Sequence, residues 1–493
     1  MFGQPPGAQA QARFQQGLAF HQKGQLAEAL QAYEQVIALQ PKHFDALHLA
    51  GVILLQSGQA QRAVELMDRA LKVDRNNANA YNNRGAAYSE LGDHEQAILN
   101  YSKSISLQPD HANAYNNRGN VLVKQGRHEE ALADFDKAIS LNPQYFEAFN
   151  NRANALNELR RYDEARDSQE KAIALNPQSA DTHWNLGASY LRLQAFEPGW
   201  RHSEWRMHHA HILGWRESDY AGTRWTGQQD IQGKTILLIS EQGLGDTIQF
   251  SRYATVVRDL GAQVVFEIQP PLMPLLGELP GIQLVPRGAP LPAYDFYCPL
   301  MSVPWVLQTD LSNIPAPTRL TPVKDEQRAR WQALLPHTGK PRVGVVWSGN
   351  PGHLDDYKRS MSLQTFSQLL CGEVDWVSLH KDVRDSDKAE LATLTQTHRL
   401  ADFSAQQHDF SDAMAMCEAL DLVITVDTSI AHVAACMGRP VWLLLAHNAD
   451  WRWFIDRKDS PWYPSMKLYR QDHPGDWADL LQKVKADVQA HFA

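Results

Sequence analysis

The 493-residue chain has only four cysteines, Cys298, Cys371, Cys417 and Cys436, and none falls in a Cys-x-x-Cys pair. That scarcity excludes a zinc knuckle and a disulfide-framed fold, and implies small buried hydrophobes in a reducing compartment. Long hydrophobic runs are missing too: no apolar stretch reaches the roughly 18 residues that a membrane-spanning helix needs. The opening residues, Met1-Phe2-Gly3-Gln4-Pro5-Pro6, lack the basic start and apolar core of a signal peptide. The expectation is a cytoplasmic protein without a transmembrane segment. Positive charge is in deficit, 47 Lys and Arg against 56 Asp and Glu for a net charge of −9. A broad nucleic-acid-binding face is thereby excluded. There is no His-x-x-x-His pair, no carboxylate cluster with metal spacing, no Gly-x-Gly-x-x-Gly fingerprint and no P-loop lysine. Neither a metal nor a cofactor is expected.

What is present is an ordinary globular composition, 43% hydrophobic and 21% charged, on a chain long enough for about three domains. Its first part repeats. Gly17, Gly51, Gly85, Gly119 and Gly187 lie on a 34-residue period, with Ala153 in the remaining slot. Twelve residues after the first five of these slots come Ala29, Ala63, Ala97, Ala131 and Ala165, and Pro41, Pro109, Pro143 and Pro177 share the period. Small residues on a fixed phase suit two helices that cross closely, and proline suits the turn into the next pair. This pattern resembles the tetratricopeptide repeat over residues 10–195, about six copies, and implies an all-α superhelix with a concave face lined by the first helix of each pair.

Asparagines recur on the same period: Asn82-Asn83, Asn116-Asn117, Asn150-Asn151 and, singly, Asn185. Asparagine is a mediocre helix former, so this phase asks for a reason. The amides either grip the backbone of an extended peptide in the groove or bond to one another and join adjacent repeats. The arrangement resembles the asparagine ladder of O-linked N-acetylglucosamine transferases, which implies a polypeptide acceptor. Oligomers through the repeats are also open.

From residue 196 the period decays into a tryptophan-rich stretch, read as a packed junction over 196–232 that carries Trp200, Trp205, Trp215 and Trp225. Beyond it, short apolar runs alternate with amphipathic helices, the signature of α/β folds with mostly parallel sheets. Strands are expected at 235–240, 263–268 and 282–285, then at 342–347, 376–379, 422–426 and 441–445. A proline-bearing segment at 313–323 separates the groups. The reading is two Rossmann-like lobes, 233–322 and 323–493, with a cleft between them, the GT-B layout of nucleotide-sugar glycosyltransferases.

Two strand ends carry chemistry. The first strand runs into Glu241-Gln242-Gly243-Leu244-Gly245-Asp246-Thr247-Ile248-Gln249, where the glycines suit a tight turn and Asp246 starts a helix. Asp246 is either a general base or a helix cap. In the second group, Asp427-Thr428-Ser429 follows an apolar strand and opens a helix that includes His432, a site suited to a diphosphate. The turn-rich run with Ser348 and Asn350, the cations Lys358 and Arg359, and His380-Lys381 after the next strand are candidate donor contacts or, equally, surface features. The aromatic runs at 450–453 and 462–463 suit stacking on a ligand or core packing.

Gly245-Asp246 and Asp427-Thr428-x-x-x-His432 together resemble the ADP-heptose lipopolysaccharide heptosyltransferases, metal-independent inverting GT-B enzymes, over residues 234–492. Ser429 stands where that family usually has glycine. A closer likeness is to bacterial tetratricopeptide-repeat glycosyltransferase-like proteins, carried by 241–246, 347–350 and 459–464. The resemblance implies Asp246 as the catalytic base. It implies that Asp427, Thr428 and Ser429 form the donor sugar and diphosphate loop, and Gly243, Gly245, Ser348, Asn350, Lys358, Arg359, His380, Lys381 and His432 are the further candidate donor contacts of the same cleft. Acceptor contacts would come from Gln249 and the asparagines. The expected activity is sugar transfer from a nucleotide-sugar to a polypeptide, with a glycan or lipid-linked acceptor, or a catalytically inactive scaffold, as alternatives.

Overall fold

A computed structural model describes residues 6–208, 215–277, 279–353 and 355–493. The chain forms two compact units, Met1–Thr182 and His183–Ala493.

The first unit is all helix. Helices α1 (Pro6–Gln22), α3 (Phe44–Gln56), α5 (Ala78–Glu90), α7 (Ala112–Lys124) and α9 (Phe146–Glu158) alternate with α2 (Leu26–Leu39), α4 (Ala60–Val73), α6 (His94–Leu107), α8 (His128–Leu141) and α10 (Tyr162–Leu175). The phased glycines have a steric cause. A Cβ on Gly17 would sit 2.7 Å from the Tyr33 ring, on Gly85 2.9 Å from Tyr101, and on Gly119 2.6 Å from Phe135. Each glycine is the socket for a buried ring 16 residues on, so the two helices of a pair touch at backbone distance. A second periodic set, unread in the sequence, turns the chain between them. Gly24, Gly58, Gly92 and Gly126 adopt φ of +72 to +77°, a left-handed conformation glycine takes without steric cost, and Arg160 takes it in the fifth pair.

Arginines that follow the asparagine pairs tie one repeat to the next. Arg118 reaches its own pair's Asp134 through two bonds of 2.7 Å and the preceding pair's Ser102 at 3.0 Å. Arg84 spans Asp68 and Asn100, and Arg152 spans Asp136 and Ser168, on the same 34-residue register. Each guanidinium therefore has one carboxylate and one neutral partner, drawn from consecutive second helices.

The second unit opens with most of helix α11 (Ala180–Arg192) and with α12 (Phe196–Ser203), which pack as a sixth pair: a Cβ on Gly187 would lie 2.7 Å from Ser203 Oγ. The tryptophan-rich stretch then packs onto the α/β body. Trp200 is buried, donates to Thr309 O at 2.8 Å and meets Trp451 edge-on, and Trp215 enters a core behind the first sheet. Residues 209–214 of that stretch lie outside the described residues.

Two sheets follow. The first has the order β1 (Thr223–Arg224), β5 (Phe296–Pro299), β2 (Thr235–Ile239), β3 (Gln263–Ile268), β4 (Ile282–Pro286), all parallel. The second has the order β10 (Asp459–Ser460), β11 (Tyr463–Arg470), β9 (Val441–Leu445), β8 (Leu422–Val426), β6 (Arg342–Val346), β7 (Asp375–Ser378), parallel except for the β10–β11 pair. All seven expected strands are present, and β1, β5, β10 and β11 are additions. Alternate residues of β2 divide between two cores: Ile236 and Leu238 face one, Leu237 and Ile239 the other. The core that holds Ile236 also holds Val423 of β8 and Leu443 of β9, so one hydrophobic interior runs through both sheets.

Candidate functional site

In open parallel sheets, ligands bind outside the carboxyl ends of the strands where the strand order reverses. Each sheet has one such point. In the first it lies between β2 and β5, and it is filled by protein. Glu241, which directly follows β2 by two residues, is fully buried and forms a bidentate pair with the equally buried Arg206 at 2.7 and 2.8 Å. Arg206 also holds Ser302 at 2.8 Å and Glu204 at 2.9 Å, while Glu241 accepts the Met301 N–H at 2.9 Å. The junction thus plugs the first reversal point. Burial works to raise the Glu204 carboxyl, but the charges of Arg206 and Arg224 outweigh it and hold it below its usual range.

The reversal point of the second sheet lies between β6 and β8, and here the site residues gather. The loop after β6 carries Trp347, Ser348, Gly349 and Asn350; the loop after β8 carries Asp427, Thr428 and Ser429. Arg384 donates to Gly349 O at 2.9 Å, and Arg359 donates to Asp427 O at 2.9 Å, so one guanidinium pins each loop. Ser360 Oγ accepts the Gly349 N–H at 2.9 Å and donates to Asp356 at 2.7 Å. Thr428 is the N-cap of helix Ser429–Cys436 and makes no side-chain cap bond. Asn350 closes a local turn onto the Gly352 N–H at 2.9 Å, and Lys358 pairs with Asp355 at 3.0 Å.

Asp246 faces this region from the first sheet. It sits at the third position of helix Leu244–Phe250, whose N-cap is Gly243, and its Oδ2 accepts the Gly243 N–H at 2.8 Å. Its Oδ1 pairs with Arg452, which also holds Asp450 at 2.8 Å. The tight turn expected from glycine is made instead by Gln242, at φ +59°. Gly245 serves close approach: a Cβ there would be 3.0 Å from the His432 ring, where helices Leu244–Phe250 and Ser429–Cys436 meet. Asp427 Oδ2 accepts the Trp453 indole N–H at 2.8 Å. Burial and the neighbouring Asp450 charge push the Asp427 carboxyl up to about 6, against that hydrogen bond and the two nearby arginines. Among the described residues no three His, Cys, Asp or Glu side chains are grouped to hold a metal ion.

Several expected contacts sit elsewhere. His380 is buried and accepts the Trp347 N–H at 3.1 Å, and His432 is buried against Tyr463 OH at 2.9 Å. Burial takes both out of the ligand-contact role expected for them. Lys381 donates to His408 O at 2.8 Å and lines a different groove, of about 660 Å³, with Lys388 and Asp402. Gln249 is fully buried, with neither amide atom bonded. Trp451, Trp453, Trp462 and Tyr463 are core. Arg206, Arg384, Asp356 and the charge of Arg452 were missed from the sequence, because none stands in a local pattern that marks its partner; Arg206 is one of four arginines in its stretch, with Arg201, Arg216 and Arg224.

Burial and adjacent arginines push His380 and His432 each down to about 3. Unfolded, each binds its proton near 6.5, so between about 6.5 and 3 the unfolded chain holds more protons and stability drops as the pH is lowered. Asp427 works in the opposite sense between about 6 and 4, because there the folded form holds the extra proton. Two histidines thus work against one carboxyl, so stability should fall as the pH drops from 6 to 4 and fall more steeply from 4 to 3. Urea melts at stepped pH read this slope, and a flat profile over that range would contradict it.

In the first unit the asparagines bond between repeats. Asn117 donates to Asn82 at 3.1 Å, Asn151 to Asn116 at 3.0 Å, and Asn83 meets His48 at 2.9 Å. Asn150 accepts from Thr182 at 3.4 Å. Asn185 lies in the second unit. Of the two sequence alternatives, these bonds support the joining of repeats. Asn83→Ala, Asn117→Ala and Asn151→Ala combined should therefore destabilise the solenoid by about 2–4 kcal/mol, since each truncation strands a buried or half-buried partner. Thermal melts of the solenoid test it; an unchanged midpoint would return the amides to ligand binding.

Comparison with known proteins assigns the first unit. The tetratricopeptide repeat family matches residues 20–86, 112–145 and 135–167, and its TPR repeat form matches 87–126 and 153–194. Protein FlbA of Caulobacter vibrioides is 24% identical over 288 residues, 53% of this chain and 47% of that protein, so the chain spans about half the length of this curated relative. The crystal structure of MamA is 26% identical and covers 34% of this chain and 96% of its own, with a TM-score of 0.31. PilF of Pseudomonas aeruginosa is 21% identical over 42% of this chain and 91% of its own, with a TM-score of 0.37. The N-terminal part of the chain, to residue 194, consists of tetratricopeptide repeats folded as a helical solenoid, followed by an α/β region of parallel sheets.

Proposed function

We propose that the α/β region is a GT-B glycosyltransferase, inverting and metal-independent, that moves a sugar from a nucleotide-sugar to a polypeptide presented by the repeats. The observation that carries this reading is the gathering of polar groups at the second sheet's reversal point. There the Thr428–Ser429 helix start and Arg359 offer donors for a diphosphate, and Asp246 approaches from the other sheet. In the reaction, an acceptor hydroxyl or amide attacks the anomeric carbon as its bond to the diphosphate oxygen breaks. Asp246 takes the acceptor's proton, and the nucleoside diphosphate leaves with both electrons of the broken bond. Arg359 and the helix start stabilise the charge that develops on it.

A second reading, a repeat scaffold whose α/β region has no catalytic role, is favoured by one observation: both oxygens of Asp246 are engaged, by Gly243 and Arg452. A carboxylate in that state must share or release a partner before it takes a proton. A thermal-shift screen of nucleotide-sugars, run in chelator, separates the two. Under the enzyme reading at least one donor at a hundred times its Kd stabilises the protein by about 2.7 kcal/mol. No shift with any donor favours the scaffold.

A further inference from the structure

Two arginines flank the second reversal point, and their acidic neighbours are Asp356 and, for Arg359, Asp427 as well. Arg359 and Arg384 approach the same carboxylate, Asp356. Arg384 pairs with Oδ2, and Arg359 Nε lies 3.7 Å from Oδ1. Asp356 is itself buried, and both arginines are about a quarter exposed. Two guanidiniums thus share one carboxylate. Their remaining bonds go to neutral groups, Gly349 O and Ser360 Oγ for Arg384 and Asp427 O for Arg359. The Nε atoms of both are buried and make no hydrogen bond. Both guanidiniums keep about a quarter of their surface exposed, and the planar fork of arginine suits the paired oxygens of phosphate groups. The two forks grip the loops after β6 and β8, one each, on either side of the reversal point.

We propose that Arg384 and Arg359 form a two-arginine clamp for the diphosphate of the ligand, with Asp356 as an internal carboxylate that competes for the same guanidiniums. This rests on the donor-site reading above and adds Arg384 and Asp356 to it. It makes opposite demands on two neighbouring substitutions. Arg384→Gln removes one half of the clamp and weakens binding about tenfold or more, and Arg384→Lys recovers only part, because an ammonium restores the charge without the fork. Asp356→Asn keeps an acceptor for Ser360 but frees both guanidiniums, so the ligand binds several-fold tighter. If Arg384 merely pins the Gly349 loop, Asp356→Asn loosens the loop and binding stays level or falls.

The test is calorimetry of the full chain with a set of nucleoside diphosphates and with inorganic pyrophosphate, beside thermal melts of each variant. Weaker binding by Arg384→Gln with tighter binding by Asp356→Asn is the expected pair of results. Asp356→Asn that binds no tighter than wild type overturns the clamp, and that variant decides the matter if Arg384→Gln does not fold. Should wild type bind a nucleoside diphosphate while both variants match it, the donor site stands and the clamp falls. Should wild type bind none of these ligands, the donor-site reading itself fails. Equal affinity for pyrophosphate and the nucleoside diphosphates locates recognition in the phosphates alone.

Discussion

Arg206→Met should destabilise the second unit by about 3–5 kcal/mol, the usual cost of leaving one partner of a buried ion pair behind. Glu241 would keep the Met301 N–H at 2.9 Å and lose both bonds of the guanidinium fork, in a position with no access to water. Glu204 would lose a partner as well, although Arg224 remains beside it. Methionine fills much of the arginine stem's volume, which limits the loss from packing. At roughly 2–4 °C per kcal/mol for a unit of this size, the melting midpoint should fall by about 6–20 °C. Pairing the change with Glu241→Gln should recover much of the loss, since the stranded charge is then gone and the two sites are in contact. A single variant that melts within a degree or two of wild type would show that the network is not what closes the first reversal point.

Asp246→Asn should leave the fold nearly intact and cut turnover by roughly 10²–10⁴-fold, the scale of losing a general base. Asparagine can still accept the Gly243 N–H, and Arg452 keeps Asp450 as its counter-ion at 2.8 Å. What the substitution removes is the negative charge that would receive the acceptor's proton. Release of nucleoside diphosphate from the nucleotide-sugar reads the effect, and the affinity for nucleoside diphosphate should change by less than about threefold, because Asp246 does not belong to the phosphate side of the site. Turnover near wild type in the folded variant would restrict Asp246 to the turn and to its pair with Arg452.

The repeats were legible because their packing is phased. A ring at Tyr33, Tyr101 or Phe135 needs a glycine 16 residues earlier, and that demand prints itself on the sequence. Strands β2, β3, β6, β8 and β9 were legible as apolar runs buried on both faces. By contrast β1 has two residues, β5 ends on Pro299, and β11 carries Pro464 among alternating polar and apolar positions. Only their neighbours make them strands.

The site divides the same way. Asp246 and Asp427 could be found because each follows an apolar strand directly. Arg452 lies 206 residues from Asp246, and Arg384 lies 35 from Gly349, so nothing local announces either contact. The asparagine phase was visible, but its meaning was not. That Asn117 points its amide at Asn82, one residue off the repeat register, is a property of how adjacent pairs stack. Gln242 shows the reverse error: two glycines stood beside it, yet it is the residue with the left-handed backbone.

Sugar transfer at the reversal point between β6 and β8 is the central proposal. Its most direct test is release of nucleoside diphosphate from a panel of nucleotide-sugars by the full chain, in the presence of chelator and with and without an unfolded polypeptide. At least one donor should be turned over, faster when polypeptide is present and undiminished by chelation. No release from any donor under any of these conditions would contradict the account and leave the chain a repeat scaffold.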